Sequence, residues 1–333
     1  MSGAPGDADR RGHGKVQCIG RPRGGPRLLS WAAAALLSLG RRAEAGQLVA
    51  QAFELDLESP AERQAPLITR GYLRLWDGDL AAAHADFGQV LEESPAPLDP
   101  VGAAEVLCGL AEVALWDGRL PDGRTAVADG LTALAAAEEP YWITRLCRTG
   151  LAIEAQAAGH PRGRPADGED QAARERAAGL VDRIRSAVSA PDVVLTPALT
   201  ATVATAEAEW SRVDGPSDPG RWASSAEAWE GLSHPWPSAY ARWRQAGALL
   251  AARAPRGAVR TALAQAWTLA STRGAALLVT EIQALARRAR IELPPPGRPP
   301  DQTAARPGRE PGRHTGDEIQ CHDATRRQYW GCR

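Results

Sequence analysis

The hexapeptide Leu75-Trp76-Asp77-Gly78-Asp79-Leu80 returns forty residues later as Leu115-Trp116-Asp117-Gly118-Arg119-Leu120. A repeat at fixed interval constrains the fold more than any other feature of this chain. Each copy is a unit whose apolar face can be buried only against its neighbours. In both copies an apolar segment of helical period ends at Trp, an Asp-Gly pair supplies the turn, and a second helical segment begins. Leu39-Gly40-Arg41-Arg42-Ala43 stands in the same place one unit earlier. Gly78 and Gly118 are the turn residues, and Trp76 and Trp116 are expected to fill gaps between helices.

Helical period runs through most of the chain. Leu107, Leu110, Ala111, Ala114 and Leu115 fall on one helix face, as do Val259, Leu263, Ala266, Trp267 and Ala270, and Leu278, Ile282, Leu285, Ala286 and Ala289. Breaks fall at Asp77-Gly78, Pro95-Ala96-Pro97, Asp117-Gly118, 159–168, 214–220 and His234-Pro235. About thirteen helices of ordinary length fit between them, leaving almost no room for a sheet. The apolar residues are mostly Ala, Leu and Val; the first two favour helix, and the scarcity of Phe, Tyr and Ile weakens any strand signal. The expected fold is therefore all-α, a helical repeat solenoid of about thirteen antiparallel helices. Three zones are expected: a disordered segment over 1–26 rich in Gly, Arg and Pro, the solenoid over 27–293, and a disordered Pro/Arg-rich tail over 294–333.

The residues around the two turns resemble the tetratricopeptide pattern, a helix–turn–helix unit of about 34 residues. Gly71 stands seven residues before Gly78, where two helices must approach closely. Leu80, Ala83, Phe87 and Leu91 follow at second-helix spacing, and Pro95 ends the unit. Ala111, Gly118, Leu120, Val127 and Leu131 form a looser second copy.

The segment 205–291 carries a distinctive run: Ala206-Glu207-Ala208-Glu209-Trp210, Ser217-Asp218-Pro219, Trp222, Ala228-Trp229-Glu230-Gly231-Leu232, Ala239-Tyr240-Ala241-Arg242-Trp243-Arg244-Gln245-Ala246, Ala266-Trp267-Thr268-Leu269-Ala270 and the closing Arg287-Arg288-Ala289-Arg290. Together with the repeats, it resembles the tetratricopeptide region of large LuxR-type (MalT-like) ATPase transcriptional regulators, over roughly residues 27–293. The resemblance implies a non-catalytic sensor arm that binds a protein or small-molecule effector on the solenoid face. It also implies that DNA is reached only through a helix-turn-helix domain absent from this chain. A stand-alone tetratricopeptide scaffold for protein–protein interaction is the other reading. The ATPase part of the pattern is missing: Gly12-His13-Gly14-Lys15-Val16 has Asp9 where a P-loop needs its first Gly and Val16 where it needs Ser or Thr. The change of character at Pro294 gives the expectation of a sensor arm alone, a genuine module or a fragment or frameshifted reading of a larger regulator whose two ends are non-native.

No catalytic, cofactor or metal motif stands out. There is no G-x-S-x-G, H-E-x-x-H or G-x-G-x-x-G opening a helix. Glu92-Glu93 and Glu138-Glu139 read as solvated helix ends. The six histidines are scattered, and Cys321, His322 and Cys332 do not make a zinc set. Cys108 and Cys147 sit in apolar helical patterns as small core residues, and the five scattered cysteines fit a reducing cytoplasm. The net charge of -1 gives no case for nucleic-acid binding by the whole chain, and the arginines reflect a chain with Lys15 as its sole lysine. The apolar run 28–39, flanked by arginines, has a signal-peptide layout but continues into helical pattern, and it is too short to span a bilayer. Eleven Trp against two Phe is unusual, and Trp222, Trp229, Trp236, Tyr240 and Trp243 crowd one stretch at seven-residue spacings. Two helices divided at His234-Pro235 would each present an aromatic edge, either as core packing or as a ligand groove.

Overall fold

The computed structural model describes residues 25–55, 57, 59–94, 98–137, 139–159 and 169–295. The expectations for 1–24 and 296–333 lie outside the described residues, as do the P-loop-like segment, Cys18, Cys321 and Cys332. The described residues form thirteen α-helices and no strand: α1 Gly25–Ser38, α2 Arg42–Glu54, α3 Pro60–Asp77, α4 Leu80–Glu93, α5 Pro100–Trp116, α6 Leu120–Ala133, α7 Pro140–Ala158, α8 Glu169–Val188, α9 Pro197–Asp214, α10 Pro219–Gly231, α11 Pro235–Ala251, α12 Arg256–Thr272 and α13 Ala276–Ala289. No helix among the described residues is long and apolar enough to cross a membrane. The apolar run at 28–39 packs as α1, burying Ser30, Ala33 and Leu37.

Local chemistry sets the boundaries. Ser59 and Glu62 form a reciprocal capping box at the start of α3, with Pro60 in its first turn. Asp79, Asp99, Thr196 and Asp218 cap α4, α5, α9 and α10 through side-chain oxygens. The repeated Asp-Gly turns are alike in detail. Gly78 (φ 80) donates to Leu75 O while Asp79 N reaches back to Arg74 O. Gly118 (φ 75) and Arg119 do the same to Leu115 O and Ala114 O. This is a Schellman closure, whose left-handed residue has no steric penalty only when it is glycine.

Packing follows chain order at first. α1, α3, α5 and α7 pack on one another in succession, and α2, α4, α6 and α8 each pack on the helix before them. From α9 onward each helix packs on the next. Close approach depends on glycine at two crossings. A Cβ on Gly71 of α3 would stand 2.8 Å from the Phe87 ring, and one on Gly109 of α5 would stand 2.5 Å from it. The fully buried Phe87 of α4 thus sits between two bare backbones, with Tyr72 edge-on at 5.1 Å. Behind it, buried Asp86 accepts from Arg70 and pairs with Arg74 at 2.8 Å, so its charge is compensated.

Two details differ from the sequence reading. Leu91 is 40% exposed, and Val90 takes the buried place on α4. The stripe on α5 is displaced and widened: Ala111, Ala114 and Leu115 are buried but Leu107 and Leu110 only partly, while Glu105, Val106, Cys108, Gly109, Glu112 and Val113 are buried. The cause is that α3, α4, α6 and α7 surround this helix.

The array closes on itself. α13 returns to α3, where Leu277 packs beside Gly78 and against the core of α1 to α5. The α1–α2 turn at Gly40 lies against Pro235 of α11 and Arg273 after α12. Trp116 joins both the core under α1 to α5 and the core under α9 to α13. The aromatic run of the second half is therefore brought against the tryptophans that end the repeat helices of the first half.

Candidate functional site

That closure creates a cavity of about 140 Å³ between the halves, lined by side chains of α3, α5, α7, α9, α10 and α11. Two of the lining residues are Trp76, the last large residue of α3, and Trp236, the second residue of α11. Their rings stack with centroids 4.8 Å apart and planes 2° from parallel, and both are half-buried. Trp116 of α5 lies edge-on to Tyr240 at 6.2 Å and stacks on Trp243 at 6.0 Å. Trp229 of α10 is anchored by donating from Nε1 to Thr205 Oγ1 at 2.8 Å, and its ring stacks on the His234 imidazole at 5.6 Å.

One wall is charged. Glu112 on α5 faces two arginines one turn apart on α7. Arg148 Nη2 donates to Glu112 Oε1 at 2.7 Å and to Thr149 Oγ1 at 3.1 Å. Arg145 Nη2 stands 3.9 Å from the same Glu112 oxygen, and its guanidinium lies 5.1 Å from the ring centroids of both Tyr72 and Trp142. Burial, the largest single influence, works against the charge on Arg148, but Glu112 first, with Cys108 and Tyr240, raises the guanidinium above its ordinary value. Burial lowers Arg145 too, and its neighbours, Tyr72 first, raise it further. Both groups are cations at any physiological pH.

The opposite wall is neutral toward the cavity. Tyr240 donates its hydroxyl hydrogen to Glu209, which also accepts from Arg212, while Arg244 donates to the Tyr240 oxygen at 3.1 Å. Burial pushes the Glu209 carboxyl up, yet Arg212, Arg244 and these hydrogen bonds together hold it below its ordinary value. Burial alone lowers His234, so its imidazole stays neutral near pH 7.

The five aromatic residues singled out from sequence separate into two groups. Trp229, Trp236 and Tyr240 line the cavity. Trp222 is fully buried behind it, edge-on to Tyr240, with Nε1 donating to Ser217 Oγ. Trp243 lies beneath Arg244, whose guanidinium sits 4.1 Å over its ring. Of the repeat residues, Gly71, Gly78, Ala83 and Gly118 serve packing and turns, whereas Trp76 and Trp116 face the cavity. Sequence reasoning missed Glu112, Tyr141, Arg145 and Arg148, which bring the polar chemistry. The available signal was Arg145 and Arg148 three apart in a helix whose other residues are mostly apolar or small. Among the described residues no group of His, Cys, Asp and Glu gathers as a metal would require. Cys108 and Cys147 are free and buried. Compared with family models, with curated proteins and with solved structures, the chain matches none.

Proposed function

We propose that this chain is a tetratricopeptide-like helical solenoid acting as the non-catalytic sensor arm of a LuxR-type regulator, and that it captures a small effector in the central cavity. The forty-residue repeat of Trp-Asp-Gly turns supports the repeat reading. The observation that carries the binding reading is the composition of the cavity: its aromatic rings and its two arginines come from helices far apart in sequence, meeting only where the array closes. A ligand there touches α3, α5 and α7 on one side and α9 to α11 on the other. Its contacts are complete only in the closed arrangement, so binding shifts the population toward closure. In a regulator, that shift would be passed to the ATPase and DNA-binding parts, and DNA would be contacted by a helix-turn-helix domain rather than by this segment.

The test is a screen of small metabolites against the full chain, read by thermal midpoint and tryptophan emission. An effector at about one hundred times its dissociation constant stabilises the fold by about 2.7 kcal/mol, a shift of several degrees. If no small molecule moves either signal while a peptide or protein partner does, the chain is an interaction scaffold and the sensor reading fails.

A further inference from the structure

The cavity has one more positive charge than it has carboxylates to meet it. Glu112 is engaged at 2.7 Å by Arg148, and Arg145 is left 3.9 Å from the same oxygen. Among the described residues the Arg145 guanidinium donates no hydrogen bond to a side chain; around it lie the Glu112 oxygen at 3.9 Å and the rings of Tyr72 and Trp142. The Arg145 side chain is partly buried, 23% exposed, and the rigid fork of donors on a guanidinium is matched best by a carboxylate. The other acid near Arg145 is Glu105, buried on α5. Burial pushes its carboxyl up to about 7, so it supplies at most part of a charge at neutral pH.

The remaining wall is aromatic. Trp76, Trp116, Trp236 and Tyr240 offer ring faces and edges, and the Tyr240 hydroxyl is already engaged by Glu209. A space of about 140 Å³ is close to the cavity of about 150 Å³ that is known to admit benzene. We infer that the cavity takes a small aromatic monocarboxylate, with its carboxylate on Arg145 and its single ring among Trp76, Trp116 and Trp236. This rests on the proposal that the cavity is an effector site, and it adds the chemical class of the effector. A dianion exceeds the single uncompensated charge.

The experiment titrates benzoate, phenol and acetate into the full-length chain, followed by tryptophan emission and calorimetry. The variants are Arg145→Gln and Arg145→Lys, each checked by circular dichroism. Benzoate is expected to bind the unsubstituted chain at least tenfold more tightly than phenol, with acetate silent at the same concentrations. Arg145→Gln is expected to lose about ten- to hundredfold in benzoate affinity while leaving phenol unchanged, and Arg145→Lys to keep part of the preference. Should Arg145→Gln fail to fold, the benzoate-to-phenol ratio of the unsubstituted chain decides alone. Equal binding of benzoate and phenol overturns the acid class and leaves the cavity as an effector site for neutral rings. Silence from all three probes overturns the aromatic-acid class, while the sensor reading itself falls only if the wider metabolite screen is silent too.

Discussion

The turn after α3 and the turn after α11 have the same hydrogen bonds and different residues. At Gly78 the left-handed position is glycine; at Arg253 (φ 53) it is a residue with a long side chain, yet Arg253 N donates to Leu250 O and Ala254 N to Leu249 O in the same closure. Ser233 (φ 58) and Arg290 (φ 53) repeat the substitution after α10 and α13. The two halves also fill their crossings differently. In the first, glycines make holes for large side chains: Phe87 against Gly71 and Gly109, Leu146 against Gly130, Leu180 against Gly150. In the second, Trp222, Tyr240, Trp243 and Trp267 pack among alanines, and Gly247 has open space, with only Leu285 at 3.9 Å. Helix crossings are thus fitted in the first half by removing side chains at contacts and in the second by inserting aromatic ones between small residues. Either route fills a crossing, because what counts is the summed volume there rather than which helix supplies it.

The largest effect that would test this contrast is at Phe87. Phe87→Ala leaves a void bounded by two glycines that cannot fill it, with an expected loss of about 3–5 kcal/mol in urea unfolding. Gly109→Ala, which drives a methyl into the same ring, is expected to cost about 1–3 kcal/mol. Gly247→Ala in the second half is expected to stabilise by up to about 1 kcal/mol, since its methyl makes only an ordinary contact with Leu285 at 3.9 Å and glycine is a poor helix former. If Gly109→Ala and Gly247→Ala behave alike, the glycine holes are not what sets the first half.

The buried carboxyls give opposite pH responses. Burial raises Glu105 to about 7, opposed by Arg145 and assisted by Asp99. Its unfolded form releases the proton near 4.5, so the folded state holds more protons between these values. Stability contributed at this site therefore falls as pH rises from about 4.5 to about 7 and is flat above. Glu105→Gln is expected to remove that slope, gaining about 3 kcal/mol at pH 8 and nothing at pH 4. Glu209, whose carboxyl is held below its ordinary value, contributes stability that is present above the unfolded value and lost as pH falls through the folded one. Glu209→Gln is expected to destabilise at pH 7 and to weaken acid sensitivity. Denaturation midpoints of both variants between pH 4 and pH 8 check the two signs, and like slopes would erase the distinction.

At the turns, Gly78→Ala is expected to cost about 1–2 kcal/mol and Arg253→Gly to stabilise by about 0.5–1 kcal/mol, because the left-handed conformation burdens every residue with a Cβ. Thermal midpoints of the pair would show whether the second half tolerates its strained turns at a real energetic cost. The smallest effect concerns the seam between the halves. A double-mutant cycle on Trp76→Ala and Trp236→Ala is expected to give about 0.5–1.5 kcal/mol of coupling from the stacked rings. Zero coupling would mean that closure does not depend on the stack.

Much of the fold was legible because its signals are local. Asp-Gly pairs, prolines at helix starts and apolar residues at helical spacing gave the number of helices and most of their boundaries. The turn after α11 was marked only by Pro255 just beyond it, since neither Ala252 nor Arg253 signals a stop, and the break after α6 at Leu134 carried no signal of its own. The site was legible only in part. The aromatic crowding at 222–243 pointed to the right helices, yet Trp222 and Trp243 went to the core while Trp76 and Trp116, read as gap fillers, reached the cavity. Arg145 and Arg148 carried no motif and gained meaning only beside Glu112, which lies more than thirty residues earlier.

The sequence by itself determined helix, turn and period, because backbone hydrogen bonding, capping and the burial of one helix face act within a few residues. The tertiary structure alone decided that α13 returns to α3, that Trp76 meets Trp236, and that one carboxylate is shared between two guanidiniums. Those outcomes depend on the small rotations accumulated from helix to helix. No single residue encodes that sum, and it becomes visible only where the two ends of the array touch.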